Sequence, residues 1–182
     1  MTMTIDINAS KPGQDSRFSR LESEFPEYRP RPKDAELALR GIRIVDFTHF
    51  IAGPFATTIL ADMGAEVIKV ESPGTGDNFR QYPPMEPAFG GGAPYIWTNR
   101  NKRSIALDLK SPQGLAVARE LIAKADVVVE NFSTGVMERL GLGYDSLRDR
   151  HPGLIFCSVS AYGRTGAFAD RSGFDPIAQA ES

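Results

Sequence analysis

Cysteine is nearly absent: Cys157 is the only one in 182 residues. A lone cysteine makes no internal disulfide and no cysteine-only metal cluster, and it suits a reducing, cytoplasmic setting. Histidine is almost as scarce, with only His49 and His151. No Ser–His–Asp set can be assembled from these, and no His/Asp/Glu spacing points to a metal. No apolar run approaches the ~20 residues that span a bilayer. The N-terminus lacks the apolar segment of a signal peptide. Excess charge of one sign is missing too, with Lys+Arg 21 against Asp+Glu 23 and a net charge of −2. Neither nucleic acid nor an acidic membrane surface is therefore an expected partner. Two nucleotide signatures are also lacking: the Gly-x-Gly-x-x-Gly fingerprint and the lysine of a P-loop. Their absence argues against a nicotinamide-dependent oxidoreductase.

What is present is ordinary for one globular core: 41% hydrophobic and 24% charged residues. Residues 1–40 stand apart, with four prolines, seven basic and seven acidic residues and no long apolar period. They read as a flexible N-terminal extension, with a short helix near Asp34–Leu39. From Gly41 to Ser182 the pattern is orderly. Ile42–Phe47 alternates as a strand, and Phe55–Met63 follows as a helix with Pro54 in its first turn and Gly64 as its stop. Glu66–Glu71 is the next strand. Residues 72–99 read as an irregular, proline- and glycine-punctuated loop. A strand is expected over Ser104–Leu109, and a helix opens at Ser111-Pro112 and runs to Ala125. Val127–Glu130 is continuously apolar until its end, as buried parallel strands are. Short helices at Gly135–Leu140 and Asp145–Arg150 and a strand at Leu154–Ser160 complete the series. Cys157, in mid-strand, reads as an inert core residue.

Strands alternating with helices predict an α/β fold: a Rossmann-like open parallel sheet with helices on both faces. Such sheets bind ligands at the carboxyl ends of their strands. The turn Thr48-His49-Phe50-Ile51-Ala52-Gly53-Pro54 joins small residues to a helix start, which suits an anion. His49 alone is equally consistent with a structural and a functional role. Lys102, Arg103, Lys110 and Arg139 are expected to converge on one edge, where a phosphate-bearing ligand would be held. Glu130-Asn131-Phe132 ends a buried strand with an amide and an aromatic. It reads either as a ligand contact or as a cap with a core aromatic. Asp175 opens the last helix, as a dipole partner or as an acid facing the crevice.

These motifs resemble the N-terminal part of the family III CoA-transferases. The resemblance rests on Ile44-Val45-Asp46-Phe47-Thr48 with Ala52-Gly53-Pro54, on Gly64 to Glu71, and on Gly74-Thr75-Gly76-Asp77. It continues through Asn101-Lys102-Arg103-Ser104-Ile105, Leu107-Asp108-Leu109-Lys110, Glu130-Asn131-Phe132, Gly135 to Gly141, and Gly173-Phe174-Asp175 with Gln179-Ala180.

The resemblance implies a large domain that binds coenzyme A as a substrate, with no permanently held cofactor. It implies an acyl-CoA donor, a carboxylic acid acceptor, and a homodimer of interlocked subunits in the full-length enzyme. Carried over by position, the contacts fall at His49, Ile51, Ala52, Leu107, Lys110, Asn131, Phe132, Arg139 and Phe174, with Asp175 an auxiliary site residue. Ser72 and Ser172 replace an arginine and a lysine of formyl-CoA transferase. The family's nucleophilic aspartate is expected beyond Ser182, so the 182-residue chain by itself is expected to be inactive. α-Methylacyl-CoA racemase also resembles the chain, but Phe174 stands where that enzyme has its proton-transferring histidine. A CoA-binding fragment of a truncated or split gene is the non-enzymatic reading.

Overall fold

Residues 35–86, 88 and 90–181 are described by the structure, a computed structural model. Most of the expected N-terminal extension lies outside the described residues. Where its end is described, the short helix expected near Asp34–Leu39 is replaced by a turn over residues 38–41. The Leu39 N–H donates to the Met63 carbonyl at 3.0 Å, and Gly41 takes φ 91°. This tertiary bond and the left-handed glycine redirect the chain before a helical turn can close.

Strand β1 spans Arg43–Asp46. Helix α1, Ala52–Asp62, starts three residues earlier than the sequence pattern predicts, with Pro54 still inside its first turn. Gly64, at φ 104°, takes the left-handed conformation that ends the helix. Strand β2 is Glu66–Glu71. The stretch expected to be irregular holds a 3₁₀ turn at Asn78–Gln81, strands β3 (Met85–Glu86) and β4 (Gly91–Gly92), and helix α2 (Ala93–Asn99). Its prolines and glycines mark where elements begin: Pro94 sits in the first turn of α2.

Strand β5, Lys102–Ala106, also begins earlier than predicted. Its pairing with β2 runs from Val67↔Lys102 to Glu71↔Ala106, so ladder bonds rather than hydrophobicity set its bounds. Helix α3, Pro112–Ile122, is capped by Ser111, whose Oγ accepts the Gly114 N–H at 3.0 Å. Then come β6 (Val127–Glu130), α4 (Val136–Arg139), α5 (Tyr144–Leu147), β7 (Ile155–Ser158) and α6 (Asp175–Glu181).

The five long strands form one parallel sheet in the order β5-β2-β1-β6-β7. Alternate residues of each strand face opposite sides, so the sheet has two cores. On one side Val45, Phe47, Val70 and Val128 pack with Ala118 and Ile122 of α3 and with Met137, Leu142 and Leu147. On the other, Ile44, Val67 and Val129 pack with Ala61 of α1 and with Ala65 in the turn that follows it. Each fully buried Ile or Val contributes about 1.5–3 kcal/mol, so the sheet is anchored from both faces.

One reading of the core is overturned. Cys157 is exposed, not an inert core residue. It lies on the outermost strand, beside Ile155, which is 62% exposed. The apolar run Leu154–Cys157 looks like a central strand, but β7 has a single partner, β6, among the described strands.

Candidate functional site

The chain leaves β1 for β2 and β5 on one side, then returns to place β6 against β1 on the other. Helix α1 follows β1 onto one face of the sheet, whereas Met137 of α4 follows β6 onto the other. The crevice between the C-terminal ends of β1 and β6 is therefore the topological switch point, where doubly wound sheets take their ligands.

Two segments meet there. The Asn131 Oδ1 accepts the His49 N–H at 2.9 Å, and the Asn131 Nδ2 donates to the His49 carbonyl at 2.9 Å. The His49 ring lies 5.6 Å from the Phe132 ring. Burial pulls the His49 imidazole below its usual value, with Asp77 opposing it, so the ring is neutral near pH 7. Ile51 is 48% exposed and Ala52 begins α1, so the helix start is open to solvent. Gly53 lets this turn close: a Cβ there would lie 2.4 Å from the Thr48 Cβ.

Beneath the turn sits a buried set of two carboxylates and two ammonium groups. Lys102 Nζ lies 3.0 Å from Asp46 Oδ2, and Lys69 Nζ lies 2.9 Å from Asp77 Oδ2. All four side chains are at most 2% exposed. Asp46 also accepts the Thr48 N–H at 2.8 Å and the Thr57 hydroxyl at 2.6 Å. Burial opposes its ionisation, but Lys102, Lys69 and the two threonines hold its carboxyl below the usual range. Burial draws the Lys102 ammonium down to about 8, against the pull of Asp46.

A second part of the rim lies beyond β2 and β5. Glu71 accepts from Arg80 Nε at 2.7 Å, Arg80 Nη2 at 2.7 Å, Ser104 Oγ at 2.6 Å and the Asp77 N–H at 2.9 Å. Burial would raise its pKa, but these donors outweigh burial and bring it to about 2. Arg80 lies 3.9 Å over the Tyr95 ring. A cavity of about 220 Å³ opens here, lined by Glu71, Ser72, the Gly74–Gly76 loop, Arg80, Ser104 and Ala106.

The other expected site residues fall around this rim. Leu107 follows β5, donates its N–H to the Glu71 carbonyl at 2.9 Å and packs partly buried against the larger core. Lys110 is exposed in the turn after it. Arg139 is exposed on α4 and folds back over Gly135, where a Cβ would lie 2.8 Å from its Nη1. Phe174 reaches the rim, its ring 5.2 Å from that of Phe50. Asp175 is exposed at the start of α6 and accepts from Gln179 Nε2 at 2.6 Å.

The expected convergence of four cations does not occur. Lys102 is buried against Asp46, and Arg103 turns outward to Glu66 at 3.0 Å. Lys110 and Arg139 are exposed as well. The sequence reading missed Asp46, Lys69, Asp77, Glu71 and Arg80. The available signal was three of these, Asp46, Lys69 and Glu71, at strand positions next to apolar residues. Glu130 was seen but not its partner: Arg164 Nη2 pairs with its Oε1, and the Phe132 N–H donates to Oε2 at 2.9 Å. Among the described residues no group of three or more His, Cys, Asp or Glu could hold a metal, and no helix is long and apolar enough to cross a membrane.

Fold and rim together define a doubly wound α/β layer with a crevice at its switch point. The family model of CoA-transferase family III matches residues 39–182, and the chain belongs to that family. Succinyl-CoA:glutarate CoA-transferase of Homo sapiens is 46% identical over 145 residues, covering 79% of this chain and 33% of the human protein. The succinyl-CoA–L-malate CoA-transferase alpha subunit of Chloroflexus aurantiacus is 40% identical over 164 residues, covering 90% of this chain and 38% of that one. A CAIB/BAIF family protein from Brucella suis superimposes with TM-score 0.75 at 40% identity, over 81% of this chain and 39% of that structure. The chain thus spans between a third and two fifths of the length of these relatives.

Proposed function

We propose that this chain is the coenzyme A-binding layer of an enzyme that moves coenzyme A from an acyl-CoA thioester to a carboxylic acid. One observation carries the reading: in a chain of this family, the turn at 48–52 and the Asn131-Phe132 pair are joined across the switch-point crevice. Coenzyme A enters as a substrate, and no permanent cofactor is invoked. Ile51, Ala52, Asn131, Phe132 and Phe174 would contact it at the crevice, with His49 holding the turn. Lys110 and Arg139, both exposed, would meet its phosphates. Leu107 would support the adenine end, and Asp175 would act as an auxiliary polar group.

The chemistry assigned to the whole enzyme balances without water. An aspartate carboxylate, placed beyond Ser182, attacks the donor thioester carbonyl and expels the CoA thiolate, leaving a mixed anhydride. The thiolate attacks the aspartyl carbonyl and releases the donor acid, giving an aspartyl-CoA thioester. The acceptor carboxylate then attacks that carbonyl and forms a second anhydride as thiolate leaves. The thiolate takes the acceptor acyl group and frees the aspartate. Covalent catalysis divides one difficult exchange into easier ones. Relatives are named for succinyl-CoA with glutarate or L-malate and for acetyl-CoA with oxalate, so short dicarboxylates are the acceptors to test first. By the same resemblance the working enzyme is a homodimer, and the lone cysteine is what suits it to a cytoplasmic setting.

Calorimetric titration with CoA, paired with a thioester-exchange assay, tests the reading. The expected result is CoA uptake by the 182-residue chain with no turnover, and turnover once the C-terminal remainder is supplied. No CoA uptake in either form overturns it.

A further inference from the structure

The turn that carries Ile51 and Ala52 is held by side chains rather than by sheet bonds. Its Thr48 and His49 amides are taken by Asp46 and Asn131. The next amide is in the strained place. Phe50 has φ 66°, a left-handed value uncommon for an aromatic residue. Its N–H donates to Asp77 Oδ1 at 3.2 Å. The same oxygen accepts the Phe79 N–H at 3.0 Å, while Asp77 Oδ2 faces Lys69 Nζ at 2.9 Å. Lys69 Nζ in turn donates to the Thr48 carbonyl at 2.7 Å. Asp77 is itself pinned by its N–H to Glu71 Oε2 at 2.9 Å.

We propose that Lys69 and Asp77 are positioning residues for the rim turn: together they grip it from Thr48 to Phe50 and hold Phe50 left-handed, so that the start of α1 faces the crevice ready for its ligand. Three arguments support a role beyond stability. An apolar pair would fill the same space without the cost of burying two ions. Both ions instead spend hydrogen bonds on backbone groups of the one turn that opens α1. Asp77 also ends the Gly74-Thr75-Gly76 loop that lines the 220 Å³ cavity, so one residue ties the two halves of the rim together. The ligand's identity rests on the coenzyme A reading above; the holding of the turn does not.

The test uses the full 182-residue chain, with amide hydrogen exchange read residue by residue and calorimetric titration with CoA. Asp77→Ala is expected to speed Phe50 exchange about tenfold and to weaken CoA uptake about tenfold, since a part-buried donor loses its partner. The Val45 and Val128 amides, in the core, keep their rates. Asp77→Asn retains an oxygen for the Phe50 N–H and keeps both readouts within about threefold of wild type. Unchanged Phe50 exchange in Asp77→Ala overturns the proposal. So does equal loss in both variants with faster exchange throughout the core, which marks a purely structural role. If Asp77→Ala does not fold, Asp77→Asn decides: retained CoA uptake with slow Phe50 exchange supports the proposal, and fast Phe50 exchange over an intact core overturns it. If the wild-type chain takes up no CoA, the coenzyme A reading fails and the exchange rates alone judge the positioning.

Discussion

The centre of the sheet and its β7 edge are built on opposite principles. Around β1, β2 and β6, Asp46, Lys69, Asp77, Glu71 and Glu130 are all at most 4% exposed, and each is paired with a group of opposite charge. On β7, Ile155, Cys157 and Ser158 are exposed and rely on β6 alone. The contrast shows where precision is needed. Buried ions cost desolvation and return fixed geometry only when every partner is present. They are concentrated beneath the turn that would meet the ligand, and β7 has none.

Substitutions ranked by expected effect sharpen that contrast. Asp46→Ala should act most strongly. It strands Lys102 and two threonines in the interior, at a cost of about 3–5 kcal/mol, read as a lower midpoint in urea unfolding. Acid acts next, through Glu71. Its carboxyl is lowered from 4.5 to about 2, so the folded state holds its proton less tightly than the unfolded chain. The stability this supplies is fully present above pH ~4.5 and is lost as pH falls towards 2, about 3 kcal/mol in all. Melting curves between pH 6 and 2 should show that slope, and Glu71→Gln should flatten it.

Asn131→Ala follows, at about 1–2 kcal/mol for two backbone groups of His49 left without partners. Fast exchange confined to the His49 amide would mark the loss. Cys157→Ser at the edge is expected to shift stability by no more than about 0.5 kcal/mol. In the native chain the Cys157 thiol should react with a thiol-directed dye without denaturant. A slow reaction there would mean the edge is covered, and the contrast between the two regions would weaken.

The sequence made the layer readable and left the wiring hidden. β2 and β6 fall on the predicted residues because Val67, Ile68 and Val70, and Val127–Val129, are β-branched apolar residues closed off by Glu71 and Glu130, and such short apolar segments speak to strands directly. Gly64 and Ser111 mark helix ends because their conformations and hydroxyls have local causes. Lys102 was misread for the converse reason. Its neighbours Asn101 and Arg103 look like surface, while its partner Asp46 is 56 residues away. Asn131 stands out in the sequence at the end of an apolar strand, yet its bond to the His49 backbone joins positions 82 residues apart. Cys157 failed because a run of apolar residues cannot announce that it lies at a sheet's border.

Two kinds of ion pair sit on the same strand, β2, and dissolved salt tells them apart. Glu66 meets Arg43 and Arg103 in the open, with Arg103 78% exposed. At 1 M salt the screening distance shrinks to about 3 Å, and such contacts fade. Lys69, three residues along the strand, is out of reach of counter-ions. In brine the outside of this strand would come loose electrically while the grip beneath the 48–52 turn stayed as it was.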